Sequence, residues 1–187
     1  MKFCSLCGTP VRIEVPAGDN RLRHVCPNCG TVHYQNPKMV VGCIPEWEDK
    51  ILLCRRAIEP KYGLWTLPAG FMENGETTAE GAARETLEEA GARVDVLNLY
   101  SMISLPDINQ VYLVFRAKLL HLDFAPGEES LEAALFAESE IPWDELAFRT
   151  IGHTLKQYYA DRRGETSPHG CDKIYPLHVG EIFHKPR

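Results

Sequence analysis

The chain has no apolar run approaching the roughly 18 residues that a membrane-spanning helix needs, so no membrane association is expected. Met1-Lys2-Phe3 leads directly into Cys4, with no apolar stretch of the kind a secretory leader carries. That sets the expectation of a cytoplasmic protein. Positive charge is not in excess: Lys and Arg number 20 against 26 Asp and Glu, a formal net charge of −6. Nonspecific binding to nucleic acid depends on neutralising phosphates, so nucleic acid is not an expected partner. Internal repeats and low-complexity tracts are also missing, which excludes solenoids and disordered arrays. With 44% apolar and 25% charged residues over 187 positions, one ordinary globular domain and a small appendage are expected.

The patterning divides the chain into residues 1–36, built around cysteine pairs, a main domain over 37–163, and an irregular tail over 164–187. Within the main domain the alternation predicts strands at 39–44, 50–55, 94–101, 111–120 and 132–136. Helical spacing predicts helices at 77–90 and 145–163, the first capped by Thr78 and stopped by Gly91. Strands mixed with two helices indicate an α/β sandwich.

Seven cysteines are an odd number, and four of them form one pattern. Cys4 and Cys7, then Cys26 and Cys29, make C-x2-C…C-x2-C with a spacer in the zinc range. Gly8 and Gly30 follow each pair, where the backbone must fold back towards a metal. Four thiolates close a tetrahedral Zn²⁺ site with no position open to substrate, so the expected role is structural. His24 and His33 flank the second pair as alternative ligands. Cys43 and Cys54 sit in apolar strands and read as core residues.

The second constellation lies on the first predicted helix. At about 100° per residue, Glu85, Glu88 and Glu89 fall within one arc of about 100°. Like charges on one face destabilise a bare helix, and a bound cation relieves the repulsion. Oxygen-only ligands suit Mg²⁺ or Mn²⁺. Gly70 lies upstream, where a carbonyl can join them. Gly70, Glu76, Arg84, Glu85, Glu88, Glu89 and Gly91 match every fixed position of the Nudix box, G-x5-E-x7-R-E-U-x-E-E-x-G-U. Only the two aliphatic positions, Thr86 and Ala92, are relaxed.

The chain therefore resembles the Nudix hydrolases. The four-cysteine ribbon, Tyr34-Gln35-Asn36-Pro37, Leu53-Cys54-Arg55-Arg56, Gly63-Leu64-Trp65-Thr66-Leu67-Pro68-Ala69-Gly70 and Phe124-Ala125-Pro126-Gly127 are similar to the plant chloroplast-type FAD and ADP-ribose pyrophosphatases, over about residues 3–160. The resemblance implies a Nudix α/β/α sandwich with a mixed sheet behind a small zinc ribbon. It implies hydrolysis of a pyrophosphate bond in a nucleoside diphosphate-linked substrate, ADP-ribose or FAD, releasing AMP, and a homodimer. Ribbon-bearing NADH pyrophosphatases carry S-Q-P-W-P-F-P after the box. Residues 104–110 here read Ser-Leu-Pro-Asp-Ile-Asn-Gln, which argues against NADH. NADH or a capped nucleotide is thus a second reading, and a nucleotide sensor whose ribbon contacts nucleic acid a third.

The implied roles are metal binding by Gly70, Glu85, Glu88 and Glu89, orientation by Arg84, and proton abstraction by Glu88 or by Glu132 on a later loop. Arg56 is the candidate phosphate contact. Trp65, Phe71 and Tyr112 are the candidate stacking platforms for a base or flavin.

Overall fold

A computed structural model of the chain describes residues 1–165 and 175–178. It separates into two compact units, Met1–Pro37 and Lys38–Arg187. No helix among the described residues is long and apolar enough to cross a membrane.

The first unit is a three-stranded antiparallel sheet, β1 (Arg12–Glu14), β2 (Arg23–Val25) and β3 (Val32–His33). Every residue of β1 is exposed. Within this unit only Cys4, Val25 and Cys26 are buried. So little apolar burial does not offset the conformational entropy of ordering such a segment. Two matching turns bring the cysteines together. The Cys4 N–H donates to the Thr9 carbonyl at 2.8 Å and the Gly8 N–H to the Cys4 carbonyl at 3.0 Å. The second turn repeats this geometry, Cys26 to Thr31 at 2.9 Å and Gly30 to Cys26 at 3.0 Å.

The second unit is built on β4 (Lys38–Trp47), β5 (Lys50–Arg56), β6 (Trp65–Thr66), β7 (Ala69–Phe71), helix α1 (Thr78–Ala90), β8 (Val94–Leu105), β9 (Gln110–Leu119), β10 (Ser130–Phe136), helix α2 (Arg149–Arg162) and β11 (Tyr175–His178). The sheet runs β10-β5-β4-β9-β8-β11 and is mixed: β4 and β9 are parallel, β8 and β9 antiparallel. β4 and β5 pair only at their hairpin and then diverge. The segment from Trp65 to Phe71 fills the gap, with β6 on β5 and β7 on β4. This splayed pair carries the segment that runs into α1.

Alternation along the strands makes two apolar faces. Val41, Cys43, Leu113 and Phe115 pack with Ala82 of α1. Ile44, Ile51, Leu53 and Val114 pack with Ile151, Leu155 and Tyr158 of α2. Cys43 and Cys54 are buried in this framework, as expected, and burial pushes their thiols up to about 11 and about 12.

Three local expectations are corrected. Thr77 caps α1 in place of Thr78: its hydroxyl accepts from the Glu80 N–H at 3.2 Å, and the Glu80 carboxylate accepts from the Thr77 N–H at 2.8 Å, a reciprocal capping box. α2 starts at Arg149, four residues later than predicted. The preceding chain is drawn into a bridge with β6, where the Ala147 N–H donates to the Trp65 carbonyl at 2.8 Å. Within the tail expected to be irregular, Tyr175–His178 pairs in parallel with the Ser101–Ser104 stretch of β8. β8 extends four residues past its predicted end, and its free edge offers unpaired backbone groups to a further strand. Cys171, His169 and His184 lie outside the described residues.

Candidate functional site

The four ribbon thiols converge as the spacing predicts. Cys4, Cys7, Cys26 and Cys29 place their Sγ atoms within 4.8 Å of one another. The Cys7–Cys26, Cys7–Cys29 and Cys4–Cys29 separations are 3.4, 3.6 and 3.7 Å. A tetrahedral Zn²⁺ with bonds of about 2.3 Å has sulfur–sulfur edges of about 3.8 Å, so the quartet fits that ion. His33 approaches Cys4 Sγ with its Nε2 at 3.3 Å, which suits an outer hydrogen bond that orients a ligand. His24 is within 3.5 Å of the terminal ammonium.

The second site sits where α1 faces β7. Glu85 and Glu89 are buried, 9% and 7% exposed, although both are carboxylates. The Glu85 carboxylate covers the Cα of Gly70 so closely that any Cβ there would overlap it. Glycine is thus required by the approach of the side chain. Glu89 accepts from the Ala69 N–H at 3.4 Å. The two acids therefore lie against consecutive residues of β7, Glu89 at Ala69 and Glu85 at Gly70.

Arg84 ties the rest of the constellation together. Its Nε and Nη2 grip Glu76 at 2.9 and 2.8 Å, and Nη2 also donates to the Phe71 carbonyl at 3.1 Å. Its Nη1 donates to both Glu85, at 2.7 Å, and Glu88, at 2.9 Å. One guanidinium nitrogen thus gathers two carboxylates that would otherwise repel each other. The paired guanidinium holds Glu76 down at about 2, so Glu76 remains an anionic anchor for Arg84.

Burial acts in the opposite direction on the inner acids. Desolvation raises Glu85, against the pull of Arg84. Desolvation, followed by the charge of Glu85, pushes Glu89 up to about 8. Both also feel Glu129, an exposed residue just ahead of β10. Spacing alone does not single out Glu129; its position after Phe124–Gly127 is the one signal pointing to it. Glu132 is the expected loop carboxylate. It pairs in register with Arg55 and its carboxylate lies 3.9 Å from that guanidinium. A register shift between Ser130 and Glu132 gives this pairing.

The other predicted contacts divide similarly. Arg56 acts electrostatically on both Glu89 and Tyr112, so it borders the acids. Its Nε donates to the Pro60 carbonyl at 2.9 Å, and its guanidinium lies 5.4 Å from the Phe148 ring centre. Tyr112 is half-buried. Phe71 is 49% exposed, with Lys38 Nζ 4.7 Å from its ring centre. Trp65 is corrected: it is 7% exposed, buried in the α2-side core with an edge-type contact to Phe136 at 4.9 Å, so it is not a platform for stacking.

Buried acids whose cationic neighbours are Arg84 and Arg56 are an environment in which a divalent ion is stabilising. The donors here, carboxylate oxygens and the Gly70 carbonyl, are hard ligands that fit Mg²⁺ or Mn²⁺. In the metal-free fold Glu89 binds a proton more tightly than the unfolded chain does. Its contribution to stability is present below about 4.5 and is lost as pH rises towards about 8. The melting temperature of metal-free protein should therefore fall between pH 5 and pH 8. Glu89→Gln should flatten that slope, and saturating Mg²⁺ should abolish it. An identical slope in Glu89→Gln would contradict the assignment. For the ribbon, Cys26→Ser should remove bound zinc, measured by elemental analysis, and open residues 1–37 to proteolysis while the remainder stays folded. Retention of stoichiometric zinc would exclude the four-thiolate site.

Comparison with known proteins finds a match for each of the two units. Residues 2–35 match the family model described as Nudix N-terminal, a zinc ribbon, and residues 36–160 match the NUDIX domain. The chain is 32% identical over 164 residues to the NAD-capped RNA hydrolase NudC of Chromobacterium violaceum, covering 86% of this chain and 59% of that protein. It is 34% identical over 119 residues to the ADP-ribose pyrophosphatase of Methanocaldococcus jannaschii, covering 62% of this chain and 69% of the relative. The chain thus spans about three fifths of the length of the NudC protein it matches. A crystal structure of a NUDIX hydrolase from Nitrosomonas europaea superposes with a TM-score of 0.89 at 58% identity, covering 95% of this chain and 99% of the other. With the box residues gathered on and around α1 and the domain match spanning the sandwich, the chain belongs to the Nudix family and carries the zinc-ribbon segment of its Nudix N-terminal type.

Proposed function

We propose that the protein hydrolyses the pyrophosphate bond of nucleoside diphosphate derivatives, ADP-ribose and FAD foremost, and releases AMP. The observation that carries this reading is the pair Glu85 and Glu89, buried side by side against Gly70 with Arg84 gathering Glu88 beside them. Glu85, Glu88, Glu89 and the Gly70 carbonyl hold Mg²⁺ or Mn²⁺. When bound, the ion neutralises phosphate charge and lowers the pKa of a water.

The side chains do the remaining work. Arg84, anchored by Glu76, fixes the orientation of Glu85 and Glu88. Arg56, bordering Glu89, contacts a phosphate oxygen of the substrate. Glu129 takes the proton from the attacking water, with Glu88 the box carboxylate suited to the same task. Phe71 is the exposed ring on which a base or flavin stacks, beside Tyr112. Positioning and charge stabilisation supply most of the rate in such chemistry.

A second reading is favoured by the names of relatives: NADH, or an RNA 5′ end capped by NAD, as in the NudC proteins. It would make nucleic acid a partner after all. The stretch from Ser104 to Gln110, which ends β8 and turns into β9, lacks the Trp- and Phe-containing signature of NADH pyrophosphatases and weighs against it. A pure nucleotide sensor is disfavoured because the carboxylate set is complete. A homodimer is proposed on resemblance.

Incubation with Mg²⁺ and a panel of ADP-ribose, FAD, NADH and NAD-capped RNA, followed by chromatography, should yield AMP from the first two. Glu88→Gln and Glu89→Gln should each lower kcat by about a hundredfold or more with the fold intact. Turnover within roughly threefold of wild type at saturating Mg²⁺ would remove the metal assignment.

A further inference from the structure

The connection between β9 and β10 touches α1 through its backbone, and none of the roles above uses that contact. A helix leaves its last carbonyls without intrahelical donors. On α1 the Gly91 N–H takes the Leu87 carbonyl at 2.8 Å. The last two are taken by a distant loop: the Gly127 N–H donates to the Glu89 carbonyl and the Ala125 N–H to the Ala90 carbonyl, both at 2.9 Å. Gly127 approaches so closely that a Cβ would overlap the Glu88 carbonyl oxygen. Phe124 anchors the loop in the small core that includes Ala90, Ala92 and Cys54.

The same loop then turns towards the acids. The Ser130 N–H donates to the Gly127 carbonyl at 3.1 Å, and the Ala57 N–H, next to Arg56, donates to the Glu129 carbonyl at 2.8 Å. Four backbone hydrogen bonds, two to α1, one within the loop and one to the end of β5, thus fix Glu129 relative to Glu88 and Glu89. We infer that residues 124–129 form a brace that sets the spacing between the helix-borne and loop-borne carboxylates, with Gly127 as its positioning residue. The inference rests on the proposed hydrolase reading. A side chain at 127 would push the loop off the last turn and move Glu129 away from the acids it acts upon.

The test uses the full chain, with Mn²⁺ affinity read by EPR titration, kcat and KM read on ADP-ribose, and folding read by circular dichroism. Gly127→Ala should weaken Mn²⁺ binding and lower kcat by about tenfold or more, as loss of ligand support typically does, with KM nearly unchanged and the fold retained. In a Glu129→Gln background the same substitution should add little, because coupled sites are not additive. Should Gly127→Ala fail to fold, Pro126→Gly frees the loop without adding atoms, and a smaller loss in both readouts is expected. A folded Gly127→Ala, or Pro126→Gly in its place, with wild-type Mn²⁺ affinity and kcat overturns the brace while leaving the hydrolase reading intact. Wild-type protein that binds no Mn²⁺ overturns both.

Discussion

Two acids buried side by side against a strand backbone are the constraint around which the second unit is arranged. Glu85 and Glu89 are desolvated and within reach of each other's charge. Burying either one ionised and unpaired costs several kcal/mol on general grounds. The surroundings answer that cost piece by piece. Gly70 contributes no side chain, so that Glu85 can lie against β7. The Ala69 N–H gives Glu89 a donor, and Arg84 gives Glu85 a counter-charge. The one cation that acts on Glu89 among the described residues, Arg56, does not offset its desolvation, and a divalent ion is suited to do so.

The fold reads as the means of holding that face in place. β4 and β5 separate beyond their hairpin, and β6 and β7 occupy the split, so a strand backbone meets α1 at the box glutamates. α2 and its aromatic core stiffen the opposite side of the sheet. The capping box of Thr77 and Glu80 fixes the start of α1, and the loop at 125–127 secures its end. The ribbon is a separate case: with almost no apolar interior, its order depends on thiolate chemistry, and its four sulfurs leave no ligand position for substrate.

Residues that carry chemistry at fixed spacing were legible in the sequence. The cysteine quartet and the glutamates of α1 are identified by residue type and interval; the structure brings the four thiols together and links Glu85 and Glu88 through Arg84. The sandwich followed from alternation and helical spacing. What stayed hidden depends on long-range geometry. Spacing alone does not separate Glu129 from Glu132; in the fold Glu129 acts on the acids and Glu132 pairs with Arg55. Trp65 looks like any exposed aromatic until Phe136 packs on its edge. β11 pairs with Ser101–Ser104 of β8, most of which lies beyond the end its apolar pattern suggests. The Thr77 cap was readable in principle, since Thr-x-x-Glu begins at Thr77 and not at Thr78.

The claim that buried carboxylates on α1 bind the reactive cations is tested most directly by anomalous diffraction from crystals grown with Mn²⁺ and a non-hydrolysable ADP-ribose analogue. The account predicts manganese peaks bounded by Glu85, Glu88, Glu89 and the Gly70 carbonyl, with the diphosphate of the analogue bridging them towards Arg56. Peaks elsewhere, with those glutamates still bound only to Arg84 and the backbone, would contradict it.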